Sequence, residues 1–279
     1  MKKRILLGLS TAVLISVAVV GAVAQQQQQQ SQFGGPAQAP ATPPPAEEQA
    51  ALQNMLQTYD PQQRVALVEE FLAKYPDSVL RMHVYAAGAE AYQVQRNFEK
   101  AIEYGERALE LNPRYAGALL LVADSLALSA VPTQLDYQQR LTRAENYVQQ
   151  ALEVLPDMLA TMPRRPEVPE EEFDRQRKYF EAQPHAILGF VYLRRNENGK
   201  AEEELKLATD LNQWRPEPVD FQRLGYAHLR QKEYAEAESA FRRCVELGGP
   251  AGADCQRRAD QAQQMLKTQA PPEPPKPQE

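Results

Sequence analysis

Small residues recur along this chain at intervals that packed helix pairs explain. Between residues 82 and 115 stand Tyr85, Gly88, Ala89, Tyr92, Ala101, Ala108 and Pro113. Small side chains sit where two helices must touch, and larger ones fill the gaps between them. The spacing is that of a 34-residue helix–turn–helix unit. It returns three more times. Residues 116–158 carry Ala116, Leu119, Val122, Ala123 and Leu126, then Ala144, Val148, Ala151 and Pro156. There the interval from Ala123 to Ala144 is nine residues longer than that from Ala89 to Ala101, which predicts an expanded turn around Pro132. Residues 182–217 carry Leu188, Gly189 and Tyr192, then Ala201, Leu205 and Ala208, with a late proline, Pro216, after Trp214. Residues 218–251 carry Phe221, Leu224, Gly225, Ala237, Phe241 and Cys244, closed by Gly248-Gly249-Pro250. One pair cannot bury its own apolar face, so such units are stable only when stacked.

The pattern resembles the tetratricopeptide repeat. With Met82 as repeat position 1, Gly88 and Ala89 match the small pair at 7 and 8. Ala101 matches the alanine at 20, Ala108 the small residue at 27 and Pro113 the proline at 32. Tyr85 replaces the frequent tryptophan at 4, and Gly105 departs at 24, where a large aromatic is usual. The resemblance implies an all-α fold, a right-handed solenoid of antiparallel helix pairs.

The segments outside the repeats have their own readings. Lys2-Lys3-Arg4 is a basic flank to an apolar run over residues 5–24, and Ala22-Val23-Ala24 offers a small-x-small cleavage site. Residues 1–24 therefore read as a signal peptide, or as an uncleaved membrane anchor, since the run is near the length that spans a bilayer. A lipoprotein is excluded because no cysteine follows. Residues 25–46, rich in glutamine and proline, read as a disordered linker. Residues 47–81 form a degenerate capping pair, its second helix opened by Asp60-Pro61 and striped by Val65, Leu67, Val68, Phe71 and Leu72. Residues 159–181 form an insertion whose helix starts at Pro169-Glu170-Glu171-Glu172, with carboxylates at the positive end of the helix dipole. Residues 252–269 are a polar capping helix and 270–279 a proline-rich tail.

Charge and motif content narrow the function. The net charge of −6 argues against nucleic acid and anionic lipid as partners. The three histidines, His83, His185 and His228, make no metal set at usual spacing. There is no nucleophile elbow, phosphate-cradling glycine loop or zinc-hydrolase motif, so neither enzyme activity nor a cofactor is expected.

Recognition is the expectation that the resemblance supplies. In the family, first helices line a concave groove, and positions 2, 5, 9, 12 and 13 tend to face it. Carried over, that groove would display His83, Glu90 and Gln93, then Leu120, Asp124 and Leu128, then Phe190 and Arg194, and finally Gln222, Tyr226 and Arg230. One end is acidic and apolar, the other aromatic and basic. The Lys/Asn set that clamps a terminal carboxylate in some members is absent. The expected role is an envelope adaptor holding an unidentified peptide or protein, with a structural subunit of an envelope assembly or secretion complex as the alternative. Cys244 and Cys255 are the only cysteines, and export would favour a bridge between them. Against a bridge stands the usual axis separation of packed helices, about 8–10 Å. A core cysteine at Cys244 is the other reading.

Overall fold

A computed structural model describes residues 43–269. The expected leader or anchor at 1–24, most of the linker at 25–46 and the tail at 270–279 lie outside the described residues. Those described form eleven α-helices and no strand. They divide after Val168 into two compact units. Among the described residues, no helix is long and apolar enough to cross a membrane.

The N-terminal unit contains α1 (Ala46–Gln57), α2 (Pro61–Lys74), α3 (Arg81–Val94), α4 (Phe98–Leu111), α5 (Ala116–Ser129) and α6 (Tyr137–Ala160). Helix α2 starts as its sequence dictates. Pro61 occupies the first turn, where its missing N–H is no loss, and the Asp60 carboxylate accepts from the Gln63 amide at 2.8 Å. Leu52, Met55, Val68, Phe71, Leu80 and Val84 are the core that joins α1, α2 and α3.

The C-terminal unit contains α7 (Glu170–Arg194), α8 (Asn198–Leu211), α9 (Pro218–Gln231), α10 (Tyr234–Leu247) and α11 (Gly252–Gln269). Its terminal core is built from Ala237, Phe241, Cys244, Cys255, Ala259 and Ala262.

Three helix pairs share one turn. Arg96, Asn196 and Lys232 each take the left-handed conformation, with φ of 61°, 61° and 66°. They stand at the same position of the first, third and fourth repeats. In each, the next amide reaches back to a carbonyl five residues earlier: Asn97 to Tyr92, Glu197 to Tyr192 and Glu233 to His228. This is the Schellman way of ending a helix, and it satisfies carbonyls that the last turn would leave bare. The second repeat lacks that turn. Ala130 ends α5 in an extended conformation and α6 begins only at Tyr137, which is the expanded turn that Pro132 announced.

Glycines mark the tightest approaches within pairs. A Cβ on Gly189 would lie 2.4 Å from Leu205 Cγ, and one on Gly225 would lie 2.7 Å from the Phe241 ring. Gly105, which departs from the aromatic usual at its position, is explained the same way. Its Cβ would stand 2.4 Å from a methyl of Val122, so α4 can rest on α5 only if nothing is there.

Two helices run through prolines, and the first of these, Pro156, was an expected boundary. Pro156, matched to the end of a repeat, lies inside α6, which continues to Ala160 and buries Leu155 and Leu159. Pro184 lies inside α7, so the insertion helix and the first helix of the third repeat are one uninterrupted helix. A proline removes one backbone hydrogen bond. Burial of Tyr179, Phe180 and Ala182 before Pro184, and of Ile187 and Leu188 after it, offsets that loss.

Candidate interaction face of the first helices

The residues expected to face a groove fall into two groups, one in each unit. In the N-terminal unit they lie on α3 and α5. Glu90 sits 3.5 Å from Arg64 of α2, with both side chains largely covered. Arg64 also donates through Nε to the Thr58 carbonyl at 2.9 Å. Burial pushes the Glu90 carboxyl up to about 7, against the downward pull of Arg64. His83 meets the edge of the Tyr115 ring, centroids 5.8 Å apart, and its Nδ1 is buried without a hydrogen-bond partner. Desolvation lowers its imidazole to about 4. The Tyr115 hydroxyl is raised, first by burial and then by the Glu90 charge. Gln93 ties α3 to α5, its amide donating to Asp124 Oδ2 at 3.0 Å and Ser125 Oγ at 3.1 Å. Leu120 is buried, while Leu128 is half-buried.

In the C-terminal unit the residues lie on α7 and α9, and the structure adds others that the repeat positions did not point to. Two guanidinium groups lie near the Phe190 ring, that of Arg223 at 4.0 Å from the centroid and that of Arg194 at 5.6 Å. Arg223 is also 3.6 Å from Asp220. Tyr226 donates its hydroxyl to Asp254 Oδ2 at 2.6 Å and accepts from Arg258 Nε at 3.2 Å. The Arg258 guanidinium lies 5.3 Å from the Tyr226 ring centroid. Gln222 donates to the same Asp254 oxygen at 2.9 Å, and Arg257 donates to the other at 2.8 Å. These donors, Tyr226 first and Arg257 next, hold the Asp254 carboxyl down at about 2. Arg230 donates to the Leu193 carbonyl at 2.7 Å and to Asn196 at 3.1 Å, so it caps the end of α7.

Arg223, Asp254 and Arg258 were missed in the sequence for different reasons. Arg223 is one residue beyond a groove position. Asp254 and Arg258 lie on α11, outside the four counted repeats, although a helix that continues the stack presents a face of its own.

One group of described residues could bring metal-ligating atoms together: Glu202, His228 and Glu233, within 4.8 Å of one another. Each already has a partner. His228 Nδ1 is 2.6 Å from Glu233, and Glu202 accepts from Gln231 at 2.6 Å and pairs with Lys206. The arrangement locks the C-terminal end of α9 to its neighbours.

Residues 83–115 and 221–247 match the family model for the tetratricopeptide repeat. No curated protein sequence matches the chain. Among solved structures the chain is similar to a thermophilic TPR protein of Thermus thermophilus, at 21% identity and a TM-score of 0.55, over 78% of this chain and 99% of that one. It is also similar to MamA from Desulfovibrio magneticus, at 16% identity and a TM-score of 0.48, over 72% of this chain and 95% of that one. The first of these shows a shared fold.

Proposed function

Since this chain is a tetratricopeptide-repeat protein, we propose that it is a non-enzymatic scaffold of the bacterial cell envelope, holding a peptide or partner protein against its first helices. The observation that carries the reading is the chemistry of those helices. Aromatic rings, guanidinium groups and amides stand together on α7, α9 and α11, partly open to solvent, at Phe190, Arg223, Gln222, Tyr226 and Arg258. Rings and arginines of this kind dominate the binding energy at protein interfaces.

The envelope half of the reading rests on Lys2-Lys3-Arg4, the apolar run at 5–24 and the Ala22-Val23-Ala24 site. The disulfide between Cys244 and Cys255 supports it, because such bonds persist in oxidising compartments. The mass of the protein recovered from the envelope separates the two forms of export. A chain that begins at Gln25 means a cleaved signal, and the full-length mass means an anchor.

A structural subunit of an envelope complex is the second reading. Val131 and Leu135, exposed in the expanded turn, favour it, because apolar side chains left bare on a loop suit packing against a further subunit. Competition decides between the two. The partner is captured on the full-length protein, and short peptides copied from that partner are added. Release by a peptide supports groove binding, and retention against all of them supports the structural role.

A further inference from the structure

We propose that the ligand held by the C-terminal unit is an extended acidic segment of a partner protein, its carboxylates received by the ring-stacked arginines Arg223 and Arg258. This rests on the first-helix reading above and names the chemistry of its ligand.

Charge in this unit is sorted by helix. The last three turns of α7, with α9 and α11, carry Arg194, Arg223, Arg230, Arg257, Arg258 and Lys267 against Asp220, Asp254 and Asp260. The paired helices α8 and α10 carry the reverse, with seven acidic groups, among them Glu202 to Glu204, against Lys200, Lys206, Arg242 and Arg243. The protein as a whole is acidic, at −6, so a basic face within it is a local arrangement.

The arginines on that face are held in a form suited to carboxylates. Arg223 lies 4.0 Å from the Phe190 centroid and Arg258 lies 5.3 Å from that of Tyr226. A guanidinium held against a ring keeps its planar fork of N–H donors ordered, and that fork matches a carboxylate in two parallel hydrogen bonds. Asp220 and Asp254 pair with these arginines, yet six cations against three carboxylates leave the helices with a net positive charge. Asp254 is shared by Tyr226, Gln222 and Arg257, and it approaches Arg258 only to 3.9 Å. Asp220 forms an ion pair with Arg223 at 3.6 Å.

The test uses the full-length protein and three fluorescein-labelled twelve-residue peptides, of alternating Glu and Ala, Gln and Ala, or Lys and Ala. Binding is read by anisotropy at about 0.15 M salt, where long-range attraction is screened. The acidic peptide is expected to bind at least about tenfold more tightly than its amide counterpart. Arg223→Gln and Arg258→Gln should each weaken it by about tenfold or more, as loss of a charge-assisted pair does. Lys replacements at the two positions should restore only part of the affinity, because the charge returns without the fork. Arg242→Gln with Arg243→Gln, on α10, should leave it unchanged. Circular dichroism confirms that each variant is folded. Equal binding of acidic and amide peptides overturns the proposal, as does equal weakening by the α10 pair. If the amide or basic peptide binds best and is lost with Arg223→Gln, the acidic class is wrong while the first-helix reading stands. If no peptide responds to any first-helix variant, that reading fails as well.

Discussion

Two residues on α3 oppose each other in their response to pH. His83 is covered and held near 4, below its ordinary 6.5, so its contribution to stability is present above 6.5 and lost as pH falls toward 4. Glu90 is held near 7, above its ordinary 4.5, so its contribution is present below 4.5 and lost as pH rises through 7. Between about 4.5 and 6.5 the two slopes offset each other. Denaturant unfolding across that window is therefore expected to show a weak pH dependence in the natural chain. Glu90→Gln should expose the His83 slope, with stability falling as the solution is acidified. His83→Phe should expose the opposite slope. If both variants titrate like the natural chain, the burial assigned to this pair is wrong. Neither slope was legible in the sequence. His83 and Glu90 could be placed on a common face by counting, but the cover supplied by Arg64 and Tyr115 comes from α2 and from the residue that precedes α5, at distances in sequence that no local pattern encodes. Gly225 is the contrary case. Its repeat position alone places it at a helix contact, and Phe241 stands where a side chain would go. Gly225→Leu is expected to cost roughly 1–3 kcal/mol by overpacking, read as a lower melting temperature. An unchanged melting temperature would reject the register between α9 and α10.

At the scale of elements, α11 depends most on a single covalent bond. Its buried contacts are the small residues Ala259 and Ala262 together with Cys255, which offer little apolar area. The bridge from Cys255 to Cys244 spans 11 residues of sequence, with Cα atoms 6.1 Å apart. That separation falls inside the reach of a disulfide, since Cα atoms lie about 2.3 Å off the helix axis toward the partner, and Gly248 and Gly249, at φ of 79° and 90°, fold the chain back between α10 and α11. Closing so short a loop contributes on the order of 2–3 kcal/mol. Reduction should lower the unfolding midpoint accordingly and raise amide exchange across α11 first. Two thiols alkylated without reductant, or a midpoint that reductant leaves unmoved, would contradict the assignment. Caps, turns and small-residue contacts made most helices legible. The exceptions share a cause. Pro156 closes a repeat by its position and residue 181 ends the insertion by the repeat count, yet α6 runs through Pro156 and α7 carries the insertion into the third repeat through Pro184, because flanking side chains are buried on both sides.

For the whole molecule, the sequence made the repeat architecture plain and the binding surface only partly so. Counting positions brought Phe190, Gln222 and Tyr226 to one face. It did not reveal that Arg230 is occupied in capping α7, or that Asp254 of α11 gathers Tyr226, Gln222 and Arg257. Those are contacts between consecutive first helices, and their geometry emerges only when the pairs are stacked. The central claim is that a partner protein rests on the first helices. Site-specific photocrosslinking in the native envelope tests it most directly, with a benzophenone side chain placed at Gln222 or Arg194 on the first helices, and at Glu203 or Arg243 on the second helices. The account predicts that the two first-helix positions capture one and the same protein and that the second-helix positions do not. Capture of that protein from the second helices alone, or of no protein from either first-helix position, would contradict it.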